Sequence, residues 1–307
     1  MKTSLVVTLF IISMVFSCSV RAATCSCAGV PLLNSMDASS ARAGNIYFNA
    51  TVENHVISDL VSGSEDIDDE TGRDRSSQSL ILEVSYGVSE LWSVSAMVSA
   101  VRHNRQIGLS DLGKESSQGA GDGVVLAKYT PLRITPFKRN ELGLGLGAKI
   151  PIGEDNVGDG IVQAEDMQPS TGAWGLVLWA NYNRAFDPTA KFQIYTIFNS
   201  VLNGENSRNY RFGHEANFSA GIGYQAESRI AASGLFRYRV TGPDQRNNSN
   251  VPNTGGQWLD FVPSVQYSIT EQFGTKLSAR IPVYRKLKGA LQFTTSYSYS
   301  VTMSYSY

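Results

Sequence analysis

Beyond its first sixteen residues the chain lacks any apolar run approaching the ~20 residues that a membrane-spanning helix needs. That excludes a helical membrane bundle. It has no strong charge of either sign: 26 basic residues stand against 27 acidic ones, a formal net charge of −1. This balance excludes the basic footprint of a nucleic-acid binder. Cysteine is scarce, with Cys18, Cys25 and Cys27 only. No amphipathic helical period of useful length appears, and neither does a nucleotide-binding or energy-coupling motif. The three histidines, His55, His103 and His214, sit in separate stretches near the ends of segments, with no Ser or Asp partner at catalytic spacing. The chain is therefore expected not to be an enzyme and to carry no cofactor and no metal.

The first residues have a specific character. Lys2 precedes the apolar run "LVVTLFIISMVF" (5–16), and Val20 and Ala22 occupy the small-residue positions of a signal-peptidase site. Residues 1–22 read as a secretory signal peptide. The rival reading, a lipoprotein site at Cys18, is disfavoured by the bulky Phe16 next to the position that should be small. Cleavage removes Lys2 and Arg21 and takes the net charge from −1 to −3. Cys25 and Cys27 remain, in an exported context that favours a disulfide, local or intermolecular. A C-x-C bridge is geometrically tight. Residues 23–44 are assigned as an N-terminal periplasmic or plug segment.

What the sequence has in abundance is period-2 alternation. In "SQSLILEVSYGVS", Leu80, Leu82, Val84, Tyr86 and Val88 share one face, while Ser79, Glu83, Ser85 and Gly87 lie on the other. In "ELGLGLGAKIPIG", leucines oppose Gly143, Gly145, Gly147 and Lys149. Twelve such segments occur, at about 45–54, 78–88, 91–102, 123–130, 141–152, 174–184, 191–202, 214–225, 229–240, 258–268, 273–284 and 292–307. Short turns ("SE" at 89–90, "DPT" at 187–189, "AES" at 226–228, "TEQ" at 270–272) alternate with long polar loops, and "PLRITPFKR" (131–139) is a longer exception. An even number of amphipathic strands with turns on one side and loops on the other indicates an outer-membrane barrel. The expected fold is all-β: a transmembrane antiparallel up-and-down β-barrel of about 12 strands over residues 45–307. It would sit in the cell outer membrane of a Gram-negative bacterium.

Lipid hosts no unpaired backbone, so the sheet must close, with its apolar face turned out and its small polar face turned in. Tyr86, Trp92, Tyr129, Tyr182, Tyr224 and Tyr267 then form an aromatic girdle at the periplasmic rim. The C-terminal "SVTMSYSY" places Val301, Met303, Tyr305 and Tyr307 on one face. This pattern resembles the signal read by the outer-membrane insertion machinery, which is an expected partner alongside outer-membrane lipids and a small-molecule solute.

The same alternation aims Glu53, Glu83, Lys128, Lys149, Arg237, Arg239, Asp260, Lys276 and Arg280 at the lumen. Arg237, Asp260 and Arg280 on three consecutive strands suggest a hydrogen-bonded ladder. It serves either as a selectivity patch for anionic or polarisable solutes or as ion pairs that fill and stiffen the barrel. Gly143, Gly145, Gly147, Gly221 and Gly223 thin one wall, making room for a ligand or for large residues such as Trp179 and Tyr195. The acidic "EDIDDE" of the first long loop does not have the spacing of a calcium-binding EF-hand loop.

Three stretches carry a family resemblance. "LGLGLGAKIPIGED" resembles the Gly-rich strand ending in Lys-Leu-Pro-Thr-Gly of the proteins named for the meta-pathway of phenol degradation. "MQPSTGAWGLVLWANYNRAF" is similar to that family's Gln-Pro-Gly-x-Gly-x-Trp loop and following strand. "LNGENSRNYRFGHEANFSAGIGYQ" resembles its hairpin with Asn-Gly and Tyr-Arg-Phe-Gly. The likeness spans about residues 78–307 and departs at Ile152, where the family has Thr, and at Ser170. It implies an outer-membrane barrel transporting small hydrophobic or aromatic compounds. The expected function is thus a channel for passive uptake of small molecules, gated by the long loops and above all by residues 154–173. The alternative is a closed structural or anchoring barrel.

Overall fold

The computed structural model of the protein describes residues 40–70, 72–108, 113–135, 137–158 and 163–307. The signal segment and both Cys25 and Cys27 lie outside the described residues. Eighteen strands run through the described chain in order: β1 (Ile46–Ile57), β2 (Asp59–Ser62), β3 (Glu65–Ile67), β4 (Asp74–Gly87), β5 (Trp92–Gln106) and β6 (Lys114–Leu132); then β7 (Asn140–Ile150), β8 (Gly175–Ala185), β9 (Phe192–Asn203), β10 (Tyr210–Arg211), β11 (Glu215–Gln225) and β12 (Ile230–Thr241); then β13 (Gln245–Arg246), β14 (Ser249–Asn250), β15 (Gly256–Ser268), β16 (Phe273–Leu287), β17 (Gln292–Thr294) and β18 (Tyr297–Ser306). The twelve long strands pair antiparallel, each with its neighbour in sequence, and close into one barrel. The six short strands belong to loops. No helix of the described residues is long and apolar enough to cross a membrane.

Closure comes from β1, which pairs with β4 on one edge and β18 on the other. The seam is stitched to its end: the Ile46 N–H donates to the Tyr307 carbonyl, and the Tyr307 N–H to the Ile46 carbonyl, both at 2.9 Å. No long strand keeps an open edge through the apolar band, so the cost of several kcal/mol for each unpaired backbone group in hydrocarbon is avoided.

The apolar face points outward. Leu80, Leu144 and Phe218 are 41%, 48% and 51% exposed, and Val301 is half-buried among outward neighbours. Ser79, Ser85, Ser93, Ser95 and Ser99 are all buried on the inner face. A water-soluble barrel would show the reverse. At the short-turn end Trp92 packs against Tyr129 with ring centroids 4.9 Å apart, and Tyr86, Tyr182, Tyr224 and Tyr267 face out nearby. Tyr299, Met303, Tyr305 and Tyr307 are likewise exposed.

Several boundaries differ from the sequence expectation, each for a physical reason. The stretches 56–77 and 104–121, expected as loops, are largely strand among the described residues. β4, β5 and β6 run on well past the apolar band, because their polar residues pair in register from Asp74↔Gln106 and Gln106↔Lys114 downward. The segment 292–307, expected as one strand, is two. Ser296 breaks it, its hydroxyl accepting the backbone N–H groups of Ser58 and Asp59, both at 3.1 Å. β17 then leaves the wall and pairs with β2. In β6 the pair Gly121–Asp122 opposes the single residue Ser99, a β-bulge that shifts the alternation by one. Without it Asp122 and the residues beyond would change faces.

Candidate functional site

Short turns join the strands at one end of the barrel and long loops join them at the other. Residues 163–174, between β7 and β8, fold into the barrel mouth, with Met167, Gln168, Ser170 and Thr171 buried. Asp122, aimed inward by the β6 bulge, holds it. Its carboxylate accepts the Ser170 hydroxyl, the Thr171 hydroxyl at 2.6 Å and the Thr171 N–H at 3.2 Å. Lys149 completes the cluster, donating to the Thr171 hydroxyl at 2.6 Å with Asp122 3.4 Å away. One helical turn, Glu165–Met167, presents two adjacent acids to opposite sides of the mouth. Asp166 takes Arg75 at 2.8 Å and Arg105 at 3.5 Å, both on the barrel wall. Glu165 takes Arg208 Nε at 2.9 Å, Arg246 at 3.4 Å and Asn206 Nδ2 at 3.4 Å, all on neighbouring loops. The hydrogen bond from Arg208 to Glu165 raises the Arg208 pKa further and fixes its charge.

Two further loop bodies complete this cap. Tyr210 donates to Asp244 at 2.6 Å, and Asp244 also accepts the Gly213 N–H at 2.7 Å. Burial and the Asp244 charge push the Tyr210 pKa well above its ordinary value, so it stays a donor. On the far side β2 and β17 tuck Val61 against Trp258 and Leu287, and the Trp258 indole donates to Thr294 at 3.0 Å.

Beneath the cap the interior divides. On one side Ile81, Met97, Val124, Leu126, Val177 and Trp179 form a packed apolar cluster. Gly143 and Gly145 make room for the Trp179 ring, since a Cβ at either would come within 2.9 and 3.2 Å of it. Lys128 sits over the same ring, 4.8 Å from its centroid. The other side is hollow: a cavity of about 430 Å³ lies inside β9, β11, β12, β15, β16, β18 and β1 and reaches Lys191 and Gln225 at the turn end.

The lumen candidates distribute over these parts. Glu53, Arg237, Lys276 and Arg280 line the cavity. Lys128 belongs to the packed side and Lys149 to the lid cluster. Glu83 is buried against Asn49 Nδ2, at 3.2 Å, and the Ser85 hydroxyl. Arg239 stacks on Trp258 at 3.9 Å and pairs with Glu215 at 3.8 Å. Asp260 pairs in register with Arg237. The expected Arg237–Asp260–Arg280 ladder is corrected at its last member. Arg280 donates instead to Glu53 at 2.9 Å, and His55 Nε2 lies 3.1 Å from the same carboxylate oxygen. The register explains this: Arg280 pairs with Ser298, and Ser298 with His55, which brings β1 within reach of the guanidinium.

No family model matches the chain, and no curated protein matches it. Solved structures do. The chain is similar to the COG4313 outer membrane channel from Pseudomonas putida F1, with a TM-score of 0.70 and 12% identity, over 88% of this chain and 98% of that one. It is also similar to the transport unit of the autotransporter AIDA-I from Escherichia coli, with a TM-score of 0.51 and 10% identity, over 89% and 93%. At these identities the shared property is the fold, a closed outer-membrane-type barrel.

Asp122, Glu165, Asp166, Arg75 and Arg208 were not singled out by sequence. The alternation does carry one signal for Asp122. Counted back from Val125, the outward phase reaches Gly119 and Ser117; counted from Leu80 across the register, it reaches Ala120 and Gln118. The two phases conflict at "GAGDG", which marks the bulge. The loop acids carry no periodic signal at all.

Proposed function

We propose that this chain is an outer-membrane channel for passive passage of small molecules, held shut at its loop end by the folded-in residues 163–174. One observation carries the reading. One side of the interior holds a cavity of about 430 Å³ that reaches the turn end, while the loop end is covered by a lid fastened by ion pairs, rather than a core filled throughout. Twelve strands give a width between filled eight-stranded barrels and open sixteen-stranded porins, so the contents of the lumen decide conduction. The apolar outer band and the aromatic rim support residence in the outer membrane of a Gram-negative bacterium. The exposed C-terminal Val301–Tyr307 face supports delivery by the insertion machinery. The resemblance to the phenol meta-pathway proteins supports a small hydrophobic or aromatic solute, as does an apolar row inside the cavity. The packed Trp179 side favours the second reading, a closed anchoring barrel.

Reconstitution in planar bilayers separates the two. A channel shows discrete current steps whose open fraction rises in Glu165→Gln, where Arg246 loses its charged partner and Arg208 keeps only Asp155. Protein that is folded, by its heat-dependent gel mobility, yet passes no current in either form would overturn the channel reading.

A further inference from the structure

The cavity has an ordered chemistry, read directly from the strand register. One row across β9, β11, β12 and β15 consists of Tyr195, Gly221, Leu235 and Val262. Gly221 keeps this row flat, since a Cβ there would run into Leu235 at 2.5 Å. The next row toward the loop end is Ile197, Ser219, Arg237 and Asp260. An apolar floor with an aromatic edge thus lies directly against a guanidinium. Arg280 faces the same space, fastened to Glu53 through one terminal nitrogen. The cavity lining carries four cations, Lys191, Arg237, Lys276 and Arg280, against the acid Glu53, with Asp260 in register beside Arg237 just behind it, so positive charge still exceeds negative, four to two; the remaining polar lining is hydroxyl and amide. A volume of about 430 Å³ falls within the ~300–1,000 Å³ of small-molecule sites.

We infer that this cavity is a binding site for a small aromatic carboxylate. The ring lies on Tyr195, Leu235 and Val262, and the carboxylate meets Arg237 and Arg280. Guanidinium groups take carboxylates through paired N–H donors, and such charge-assisted bonds are the strong ones. A neutral aromatic would gain nothing from the excess of positive charge. A small inorganic anion would leave the apolar row in water. The cations continue toward the turn end through Lys276 to Lys191 at the rim, so an anion approaching from that side meets one sign of charge. The inference rests on the channel reading for its biological use, but binding itself requires no current.

Titration calorimetry on the full-length folded protein in detergent tests it, with benzoate, benzyl alcohol and acetate as probes. Benzoate is expected to bind at least about tenfold tighter than either of the others, the scale of a hydrogen bond to a charged group. Arg237→Gln with Arg280→Gln should weaken benzoate about tenfold and leave benzyl alcohol unchanged. Leu235→Ala should weaken benzoate and benzyl alcohol together and leave acetate unchanged. Should the double arginine variant fail to fold, Lys276→Gln, nearer the turn end, is expected to weaken benzoate alone, by a smaller factor. Equal binding of benzoate and acetate, or of benzoate and benzyl alcohol, would overturn the assignment, and so would benzoate binding insensitive to the arginines and to Lys276. Because no current is read, a failure here leaves the conductance result standing, and the reverse also holds.

Discussion

The side of the interior walled by β5, β6 and β8 and the side walled by β11, β12 and β15 obey the same inward–outward alternation, yet one is packed and the other hollow. On the first, inward positions hold Met97, Val124, Leu126, Val177 and Trp179, and the opposing glycines of β7 let the indole lie flat. On the second, Gly223 stands among Ser219, Ser233, Ser264 and Arg237. Glycine therefore does opposite things on the two sides. Gly143 and Gly145 create a place that Trp179 fills, while Gly223 borders open cavity. Thin wall alone does not make a cavity; what the neighbouring strand lays over it decides.

The largest test of this contrast is the lid clasp on the packed side. Asp122→Ala removes the only carboxylate within the Lys149 cluster and leaves a fully buried ammonium without its counter-charge. Breaking a buried pair in this way costs about 3–5 kcal/mol. Urea unfolding of the folded barrel should show this loss, accompanied by a higher open fraction in bilayers. A variant as stable as the parent would mean that the loop is held elsewhere, at Glu165 and Asp166. Next in size is Trp179→Ala, which should cost about 3–5 kcal/mol on the scale of large core truncations, toward the low end if lipid-side flexibility lets the site collapse. Tyr195→Ala, on the neighbouring strand β9, removes a ring that borders existing space. It should cost clearly less by the same unfolding measurement. Equal losses would erase the distinction between a filled and a hollow side.

The same two sides show what sequence could and could not reveal. Which face of each strand meets lipid was legible, because Leu80, Phe218 and Tyr224 alternate with Ser and Gly under a rule of period two. The cation-rich wall was legible too, since Arg237, Lys276 and Arg280 lie in the inward phase. Partnership was not. Arg280 reaches Glu53, 227 residues away, through a barrel seam that only the closed register sets. The lid was legible as a long loop but not as an inward one. Its clasp depends on a one-residue bulge at Asp122 and on Arg75 and Arg105, in stretches that looked like loop. The apolar row of the cavity needed the registers of β9, β11, β12 and β15 together, since Tyr195, Leu235 and Val262 come from three separate segments.

The smallest expected effect lies outside both sides, at the turn end. Asp187 in the turn between β8 and β9 accepts the Thr189 hydroxyl and the N–H groups of Phe192 at 2.9 Å, Lys191 at 3.1 Å and Thr189 at 3.0 Å. These bonds favour the charged form, so its pKa falls well below the usual carboxylate range, chiefly through the Thr189 hydroxyl and then the backbone donors. A group whose folded pKa is depressed stabilises the fold at pH above its unfolded value, near 4, and that contribution fades as pH drops toward the folded value. Asp187→Asn keeps the shape and removes the charge. It should lower stability slightly at pH 7, and the difference from the parent should shrink on acidification below about pH 4. Because Asp187 lies at the surface, partly exposed, water competes for these donors. Paired urea titrations at pH 7 and pH 3 read the difference. A gap between variant and parent that stayed constant between those two pH values would mean that turn geometry, not the carboxylate charge, sets the join between the packed and hollow sides.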